Sequence, residues 1–489
     1  MLGGDPALIM PRLKVLFVVS ECVPFAKTGG LADVAGALPI ALAARGHDVR
    51  VVLPRYQVTK RHAADRRPET LAVPVGHGVA YAAIWETTLP KSDAIVYLLE
   101  HDALFDRDGI YGDKAGDFGD NLARYTFLSR GALRLCETLD WVPDVVHAHD
   151  WQASLAPVFL DTLEANTPLG RSASVLTIHN MAYQGWFKKD DLYQTGLGWS
   201  MFHPRGLEAH DSINLLKGGL YHATQVTTVS PRYAQEIQTP EWGEGLDGVL
   251  RDRGGAIGVL NGIDDTIWNP EKDRFLAANF TAADLSGKAR CKAALQAEMG
   301  LPVRADMPLL GLVSRLVSQK GIDLIAGALG EILALGVQLV ALGSGEAWVE
   351  QLFARLNASS TQVRAHLGMN EALAHRIEAG SDLFLMPSRY EPCGLNQLYS
   401  QRYGTLPIVR AVGGLDDTVE NEVTGYKFDE LSADALAQTV AWAVFVMRNH
   451  PEAHREMQIR SMTKPMGWGH ASRQYEALYR MAIARRRRR

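Results

Sequence analysis

The sequence predicts an α/β protein built from two doubly wound, Rossmann-like domains that face each other across a deep cleft. Near-continuous apolar runs alternate with helical patterns along the chain, as expected for parallel strands buried on both faces. The length of 489 residues exceeds what one hydrophobic core usually supports. A turn-rich segment around 255–270 separates two such α/β series, and we interpret it as the domain boundary.

The first series begins with a β-α-β unit. The apolar run 13–20 predicts a strand, 31–44 predicts a helix that stops before Gly46, and 47–54 predicts the next strand. A right-handed crossover makes this unit the start of a doubly wound sheet. Further strands of the first series are predicted within 80–87, 94–99, 144–151, 175–180 and 225–230.

The second series has predicted strands within 309–316, 336–345, 383–387 and 406–410. The predicted division is an extension at 1–12 that is disordered, an N-terminal domain at 13–257, a C-terminal domain at 258–463, and a helical segment at 464–489. That segment is expected to return to the N-terminal domain and to end in a solvated, disordered tail at Arg485–Arg489. Contact of this tail with an anionic partner is the alternative.

Composition excludes several classes of function. The 50 basic and 55 acidic residues give a net charge of −5, so nothing favours nucleic acid or an anionic membrane surface as a partner. Four cysteines without metal-ligand spacing fit a reducing cytoplasm. We find no apolar run long enough for a transmembrane helix and no secretory signal. Met10 is an alternative start to Met1.

Two glycine pairs precede helical patterns. Gly29 and Gly30 follow Lys27, and Gly413 and Gly414 occupy a similar position in the second series. Glycines at a strand-to-helix turn let backbone N–H groups approach an anion, and a lysine adds positive charge. The alternative is a tight turn with a solvated lysine.

Polar side chains end two strands of the first series. His147, His149 and Trp151 follow one strand, and His179 and Asn180 follow the next. A metal site is disfavoured because the first two histidines alternate on a strand and no third ligand is near in sequence. The carboxyl ends of parallel strands share one edge of a sheet, so these residues are expected to line a cleft, with Trp151 exposed.

Glu391 occupies the equivalent position in the second series, between the apolar run 383–387 and a helical pattern. Open α/β sheets bind ligands at this position, although a helix-capping carboxylate would give the same pattern.

Together, these motifs resemble those of the bacterial glycogen synthases and plant starch synthases, glycosyltransferase family 5. The resemblance runs from about Leu13 to Tyr479 and includes Lys27-Thr28-Gly29-Gly30-Leu31, His147–Trp151, Thr177–Asn180, Asn261-Gly262, Ser314-Arg315-Leu316, Gln319-Lys320-Gly321 and Glu391–Gly394. It implies a GT-B fold and retaining transfer of glucose from ADP-glucose to the 4-hydroxyl at the non-reducing end of an α-1,4-glucan. It also implies catalysis without a cofactor or an essential metal.

The resemblance implies a role for each candidate residue. Arg315 and Lys320 form a clamp on the donor diphosphate, Glu391 organises the donor glucose, and His179 lies beside the reacting carbon. The remaining implied substrate contacts are Lys27, Gly29, Gly30, Asp33, His149, Trp151, Asn180, Asn261, Cys393, Gly394, Gly413 and Gly414.

Several alternatives stay open. Glu391 could be a covalent nucleophile, but we favour front-face transfer because no second carboxylate is clearly paired with it; Tyr399 stands where many retaining GT-B enzymes carry one. Cys393 could be reactive, although packing is the simpler interpretation. Met369 stands where related bacterial enzymes often have a tyrosine near adenine, which leaves the choice of donor between ADP-glucose and UDP-glucose undecided.

Two other classes of protein fit parts of the pattern. A nucleotide-dependent oxidoreductase would share the sheet topology, but the sequence lacks the G-x-G-x-x-G fingerprint. A silent glucan-binding protein would be expected to lose the cations and carboxylate of the site. This chain retains Lys27, Arg315, Lys320 and Glu391.

Overall fold

The computed structural model describes residues 11–488, which divide into two compact units. The first unit contains the chain up to Val229, then Ala234–Val259 and the segment that starts at Trp468; the second contains Ser230–Tyr233 and Leu260–Gly467. The sequence placed the corresponding breaks at 257/258 and 463/464. Most of the extension predicted to be disordered, 1–10, lies outside the described residues, as does Arg489.

The first unit is organised around a nine-stranded sheet in the order β14-β13-β9-β8-β1-β2-β5-β4-β3. Its strands and the shorter pairs beside it are β1 (Lys14–Val18), β2 (Asp48–Pro54), β3 (Asp65–Val75), β4 (Gly78–Thr88), β5 (Ile95–Glu100), β6 (Gly112–Asp113), β7 (Gly116–Asp117), β8 (Val145–His149), β9 (Ala173–Ile178), β10 (Trp186–Lys188), β11 (Glu208–Ala209), β12 (Ser212–Asn214), β13 (Gln225–Thr228) and β14 (Ile257–Gly258). Only the β3-β4-β5 edge of the main sheet is antiparallel.

The helices that begin in this part of the chain cover the sheet and its loops. They are α1 (Gly30–Ala43), α2 (Asp102–Phe105), α3 (Asn121–Thr138), α4 (Asp150–Ala153), α5 (Leu155–Asp161), α6 (Leu215–His222), α7 (Pro231–Glu236) and α8 (Asp247–Asp252). Short 3₁₀ helices occupy Gln57–Arg61, Pro168–Arg171, Lys189–Thr195 and Trp199–Met201.

The second unit has a six-stranded parallel sheet in the order β17-β16-β15-β18-β19-β20. Its strands are β15 (Leu309–Val313), β16 (Gln338–Gly343), β17 (Val363–Leu367), β18 (Leu383–Met386), β19 (Leu406–Arg410) and β20 (Tyr426–Phe428). A 3₁₀ turn at Ser318–Lys320 and eight helices connect them: α9 (Ser286–Glu298), α10 (Ile322–Ala334), α11 (Ala347–Ser359), α12 (Glu371–Gly380), α13 (Asn396–Arg402), α14 (Gly413–Thr418), α15 (Ala433–Asn449) and α16 (Pro451–Thr463).

The last helix, α17 (Trp468–Arg486), belongs to the first unit. Its buried face joins the core formed by β1, β2 and α1, and the hydroxyl of Tyr479 lies 2.8 Å from Nδ1 of His147. The prediction of a disordered arginine tail is wrong for Arg485 and Arg486. Both are helical, and Arg486 pairs with Asp161 at 2.7 Å, because its guanidinium reaches back across the unit to a fixed carboxylate.

In each sheet the order of the strands reverses at one topological switch point, which we call the reversal point. In the first unit the chain leads from β1 to β2 on one side and from β8 to β9 and β13 on the other, so the reversal lies between β1 and β8. In the second unit it lies between β15 and β18. Loops at the carboxyl ends of these strands form the crevice in which open α/β sheets bind ligands.

Candidate active site

The reversal point of the second unit brings a cation and a carboxylate together. Lys320, in the loop after β15, lies with Nζ 2.5 Å from Oε2 of Glu391, in the loop after β18. The same oxygen accepts a hydrogen bond from the hydroxyl of Ser388 at 3.1 Å. Glu391 is only 6% exposed, so the pair is shielded from solvent and its Coulomb attraction is stronger than at a surface.

Gly321 is what lets these two loops approach. Its φ of +68° is in the left-handed region, and a Cβ there would lie 2.0 Å from the carbonyl oxygen of Pro387. A hydrogen bond from Arg389 N to Gln319 O at 2.8 Å fixes the loops in this register. The close contact therefore positions Lys320 beside Glu391.

Arg315 differs from Lys320 in having a solvent-exposed side chain. Its Nη2 donates to the side-chain oxygen of Gln319 at 3.1 Å, which holds the guanidinium over the same loop. The structure thus brings the predicted clamp residues together on the loop after β15. The exposed guanidinium of Arg315 can donate hydrogen bonds to a bound anion.

Gly413 and Gly414, the second glycine pair, have packing roles that the sequence did not indicate. Gly414 N donates to the carbonyl oxygen of Glu391 at 3.0 Å, so this amide is already paired within the protein, and its contact with a phosphate stays a prediction. A Cβ on Gly413 would lie 2.0 Å from that same carbonyl, and one on Gly414 would lie 2.1 Å from the carbonyl oxygen of Cys393. Both glycines are therefore needed to seat the Glu391 loop.

Cys393 and Asn261 pack beside that loop. Burial raises the pKa of the Cys393 thiol to about 12, which keeps it protonated and agrees with the packing interpretation. The Oδ1 atom of Asn261 is buried and, among the described residues, has no hydrogen-bond partner. An unsatisfied buried acceptor is costly, and a ligand hydroxyl would satisfy it. Gly394, at φ +71°, turns the chain towards α13.

The carboxyl ends of β8 and β9 in the first unit hold a cluster of histidines. His149 Nδ1 lies 2.9 Å from His179 Nε2, and His147 Nε2 lies 2.6 Å from Thr177 Oγ1. Burial lowers the pKa of His179 to about 3, and burial also lowers the pKa of His149 well below its usual range. Both imidazoles are therefore neutral near pH 7.

His149 was expected to contact substrate, but its side chain is fully buried. It stacks on Phe17 and holds His179, which is only partly buried. In this structure His149 therefore supports His179 and does not line an open site.

Asp150 is a second support that the sequence analysis missed. This buried residue adopts φ +54°, and its Oδ1 accepts a hydrogen bond from His179 N at 2.6 Å. Burial raises the pKa of Asp150 to about 7. A non-glycine residue at positive φ, fixed by such a bond, marks a strained strand end of the kind found at functional sites.

The expected exposure of Trp151 is wrong. The ring is 8% exposed and packs edge-on to Tyr125, with ring centroids 5.0 Å apart, and against Phe187. Trp151 therefore supports the strand end through packing. The neighbouring strand end carries Asn180, which is partly buried and whose Oδ1 accepts a hydrogen bond from Ala182 N at 3.1 Å.

Glu21 organises the glycine loop before α1, and the sequence analysis missed it as well. Its carboxylate accepts hydrogen bonds from Thr28 Oγ1 at 2.7 Å, from Gly29 N at 3.0 Å, from the backbone N–H of Thr28 and from the hydroxyl of Tyr111. The Gly29 amide is therefore paired within the protein, and its contact with a phosphate stays a prediction. The signal in the sequence was an acidic residue directly after a buried strand.

The other predicted residues of this loop remain accessible. Gly30 is the first residue of α1, with open space where a side chain would be. The side chain of Lys27 is 52% exposed and its Nζ pairs with Asp33 at 2.6 Å. Burial raises the pKa of Asp33. A helix N-terminus with an exposed lysine beside it can attract an anionic group.

Within residues 11–488, no group of three or more His, Cys, Asp or Glu side chains is arranged to hold a metal ion. No helix in that part of the chain is long and apolar enough to cross a membrane.

Two Rossmann-like units, each with polar and charged loops at its reversal point, form an open α/β architecture that several classes of nucleotide-binding enzyme share. The match to two family models makes this chain a glycosyltransferase of the GT-B fold class. The family model of the starch synthase catalytic domain matches residues 14–252, and that of the glycosyl transferases group 1 matches 300–455. The chain belongs to the glycogen and starch synthase family.

Full-length relatives support that membership. Glycogen synthase 1 of Geobacter metallireducens is 50% identical, over 98% of this chain and 97% of its own length. Glycogen synthase of Treponema denticola is 45% identical, over 97% of this chain and 99% of its own. The catalytic domain of starch synthase IV from Arabidopsis thaliana, bound to ADP and acarbose, superposes with a TM-score of 0.90 at 33% identity, covering 97% of this chain and all of that one.

Proposed function

We propose that the protein transfers glucose from ADP-glucose to the 4-hydroxyl at the non-reducing end of an α-1,4-glucan, with retention of anomeric configuration and release of ADP. The observation that carries the proposal is the shielded Lys320–Glu391 pair, with Arg315 on the same loop. The ADP bound to starch synthase IV and the names of the full-length relatives support the substrates.

Breaking the bond between sugar C1 and the diphosphate places negative charge on the leaving group. Cations fixed before the reaction stabilise that charge without reorganisation. Lys320 is held by Glu391 and Arg315 by Gln319, so both cations are already oriented. We propose that the two cations stabilise the negative charge on the leaving diphosphate and that no metal is required. This predicts full activity in the presence of a chelator.

Positive charge develops on the sugar ring at the same time. In our proposal Glu391 stabilises this charge and orients the glucose hydroxyls, while the leaving phosphate accepts the proton of the attacking hydroxyl on the same face. His179 is neutral because burial lowers its pKa to about 3, so it can hydrogen-bond to a sugar hydroxyl without repelling the developing cation. Covalent attack by Glu391 stays the alternative.

Release of nucleotide tests the proposal. The protein is incubated with glycogen and either ADP-glucose or UDP-glucose, and ADP or UDP is followed over time. Glycogen-dependent release from ADP-glucose is expected to be faster. No release from either donor would contradict the proposed activity, and faster release from UDP-glucose would contradict the proposed donor. Met369→Tyr is the matched variant for donor preference, because it restores the tyrosine that related bacterial enzymes often have near adenine. Met369 is 95% exposed, so its replacement leaves the core unchanged.

We propose that the protein acts in the cytoplasm. Its four cysteines are free thiols, all buried, which fits a reducing compartment.

Replacing His149 with phenylalanine is expected to lower kcat about tenfold, because it removes the hydrogen bond to His179 but keeps the ring stacked on Phe17. The KM for ADP-glucose is expected to change little. His149→Gln retains a polar group that can reach His179 and should recover part of the rate. Equal kcat in both variants and the wild type would show that His149 does not position His179.

Replacing Glu21 with alanine is expected to raise the KM for ADP-glucose about tenfold, because the amides of Thr28 and Gly29 lose their shared acceptor and the loop before α1 loosens. Initial rates over a range of donor concentrations measure the effect. Glu69→Ala, which removes a half-buried carboxylate paired with Arg67 in β3, is the control. An unchanged KM in Glu21→Ala would contradict the organising role.

A further inference from the structure

A stacked pair of aromatic rings stands on the exposed face of α15. Trp442 and Phe445 are each 45% exposed, their ring centroids lie 5.4 Å apart and their planes differ by 15°. Their spacing of three residues puts both rings on one face of the helix. Large side chains exposed together in this way mark a binding surface more often than an isolated exposed residue does.

The Trp442 ring borders a shallow cavity of about 420 Å³, wide open to solvent, between α15 and β20, the edge strand of the second sheet. Its lining includes the polar residues Asn421, Gln438 and Thr439. The indole Nε1 donates to Oε1 of Glu422 at 3.2 Å, which fixes the orientation of the ring. Pockets of this size, with a few polar groups beside an aromatic ring, suit small ligands or short chain segments.

Charge determines which ligands fit this cavity. Its lining contains the acidic residues Glu422, Asp429 and Glu430. The lysine in the lining, Lys427, is paired with Asp416 at 2.7 Å. The surface therefore repels nucleotides, phosphates and nucleic acids. A neutral polyol fits, because carboxylates and amides accept hydrogen bonds from hydroxyl groups and flat rings pack on the C–H face of a sugar.

The cavity is connected to the candidate active site within the second unit. Arg410, at the end of β19, donates through Nε to the carbonyl oxygen of Asp429 at 3.1 Å and through Nη1 to that of Arg389 at 2.6 Å. Arg389 lies two residues before Glu391. One side chain therefore joins the rim of the cavity to the loop that carries the catalytic carboxylate.

We propose that the surface formed by Trp442, Phe445 and the α15/β20 cavity is a second binding site for the α-1,4-glucan, separate from the site of transfer. This proposal rests on the proposed function for the identity of its ligand. A chain held there raises the effective concentration of its ends at the enzyme, so the site serves long or branched acceptors and contributes nothing to short ones.

The test uses the variant Trp442→Ala/Phe445→Ala in the full chain. In electrophoresis through gels that contain glycogen, the dissociation constant is expected to rise about tenfold over the wild type, and maltoheptaose but not ADP should compete with glycogen. Transfer to maltotriose is expected to stay within twofold of the wild type, while the KM for glycogen rises. Trp199→Ala is the control, because Trp199 is 61% exposed but meets Phe202 edge-on at 80°.

Unchanged affinity for glycogen would overturn the proposal, as would an equal loss of transfer to short and long acceptors. A wild type that dimerises in sedimentation and a monomeric variant with unchanged glycogen affinity would also overturn it, because the rings would then be a contact between two copies. Gel retardation needs no turnover, so a failure of the proposed activity is distinguishable from a failure of this site.

Discussion

Replacing Glu391 with alanine is expected to lower kcat by about 10³-fold or more while the protein stays folded. The carboxylate is 6% exposed and already fixed by Lys320 and Ser388, so the charge it presents to the sugar needs no reorganisation during the reaction. A loss of this size corresponds to about 4 kcal/mol of transition-state stabilisation. Initial rates and thermal unfolding of the same preparation measure the two parts of the prediction.

Glu391→Gln guards against a folding defect, because it keeps the volume of the side chain and an oxygen that can accept from Lys320. Glu298→Ala is the control, since that carboxylate pairs with Arg376 at the surface. Near-normal turnover of Glu391→Ala would remove this residue from the site. A glucosyl adduct of the wild-type protein, detected by mass spectrometry after rapid quenching, would establish the covalent alternative in place of front-face transfer.

Replacing Lys320 with alanine is expected to lower kcat by about 10²-fold or more. The change removes a cation from the proposed leaving-group site and also leaves Glu391 without its partner at 2.5 Å. Lys320→Arg is expected to recover only part of the rate, because a planar guanidinium cannot replace a compact ammonium at this distance. Lys189→Ala, which removes a surface partner of Asp211, should be close to the wild type.

The Lys320→Ala/Glu391→Ala double variant tests whether the pair acts as a unit. Because the two side chains touch, the loss of activity in the double variant is expected to be much smaller than the product of the two single losses. Losses that multiply would contradict the coupling and would indicate that the two groups act on the substrate independently.

Most of the strands that the sequence predicted well are buried on both faces and have continuous apolar runs, although the half-exposed β4 was predicted too. The sequence analysis missed β3 and β17, and the reason is the same for both, because each lies at the edge of a sheet. β3 is the antiparallel edge of its sheet and has all its charged residues within positions 65–69, while β17, at the edge of the other sheet, contains Arg364 and His366. An edge strand buries too little surface to need a continuous apolar run.

The candidate site was indicated by the sequence where one residue type stands in one short motif, as for Glu391 and Lys320, whose side chains the structure brings into contact and whose catalytic roles stay predictions. It was missed where the role depends on a distant partner. Glu21 is recognisable as the organiser of its loop only once Tyr111, ninety residues away, and the amides of Thr28 and Gly29 are seen around it. Asp150 likewise depends on its contact with the next strand.

The two glycine pairs show a further limit of sequence reasoning. Their spacing indicated amides open to phosphate, but a glycine is equally required where two backbones pass within van der Waals contact. Gly413 and Gly414 are of this second kind, because each approaches the Glu391–Cys393 backbone too closely for a Cβ. The pattern alone does not separate the two uses.

The stereochemistry of transfer is the most direct measure of the central claim. ADP-glucose labelled with ¹³C at C1 is incubated with the protein and glycogen, and the product is examined by NMR before and after digestion from the non-reducing end. The account predicts that the label appears as α-linked glucose joined to the 4-position of chain ends. A β-linked product, a different linkage, or label found only as free glucose would contradict it.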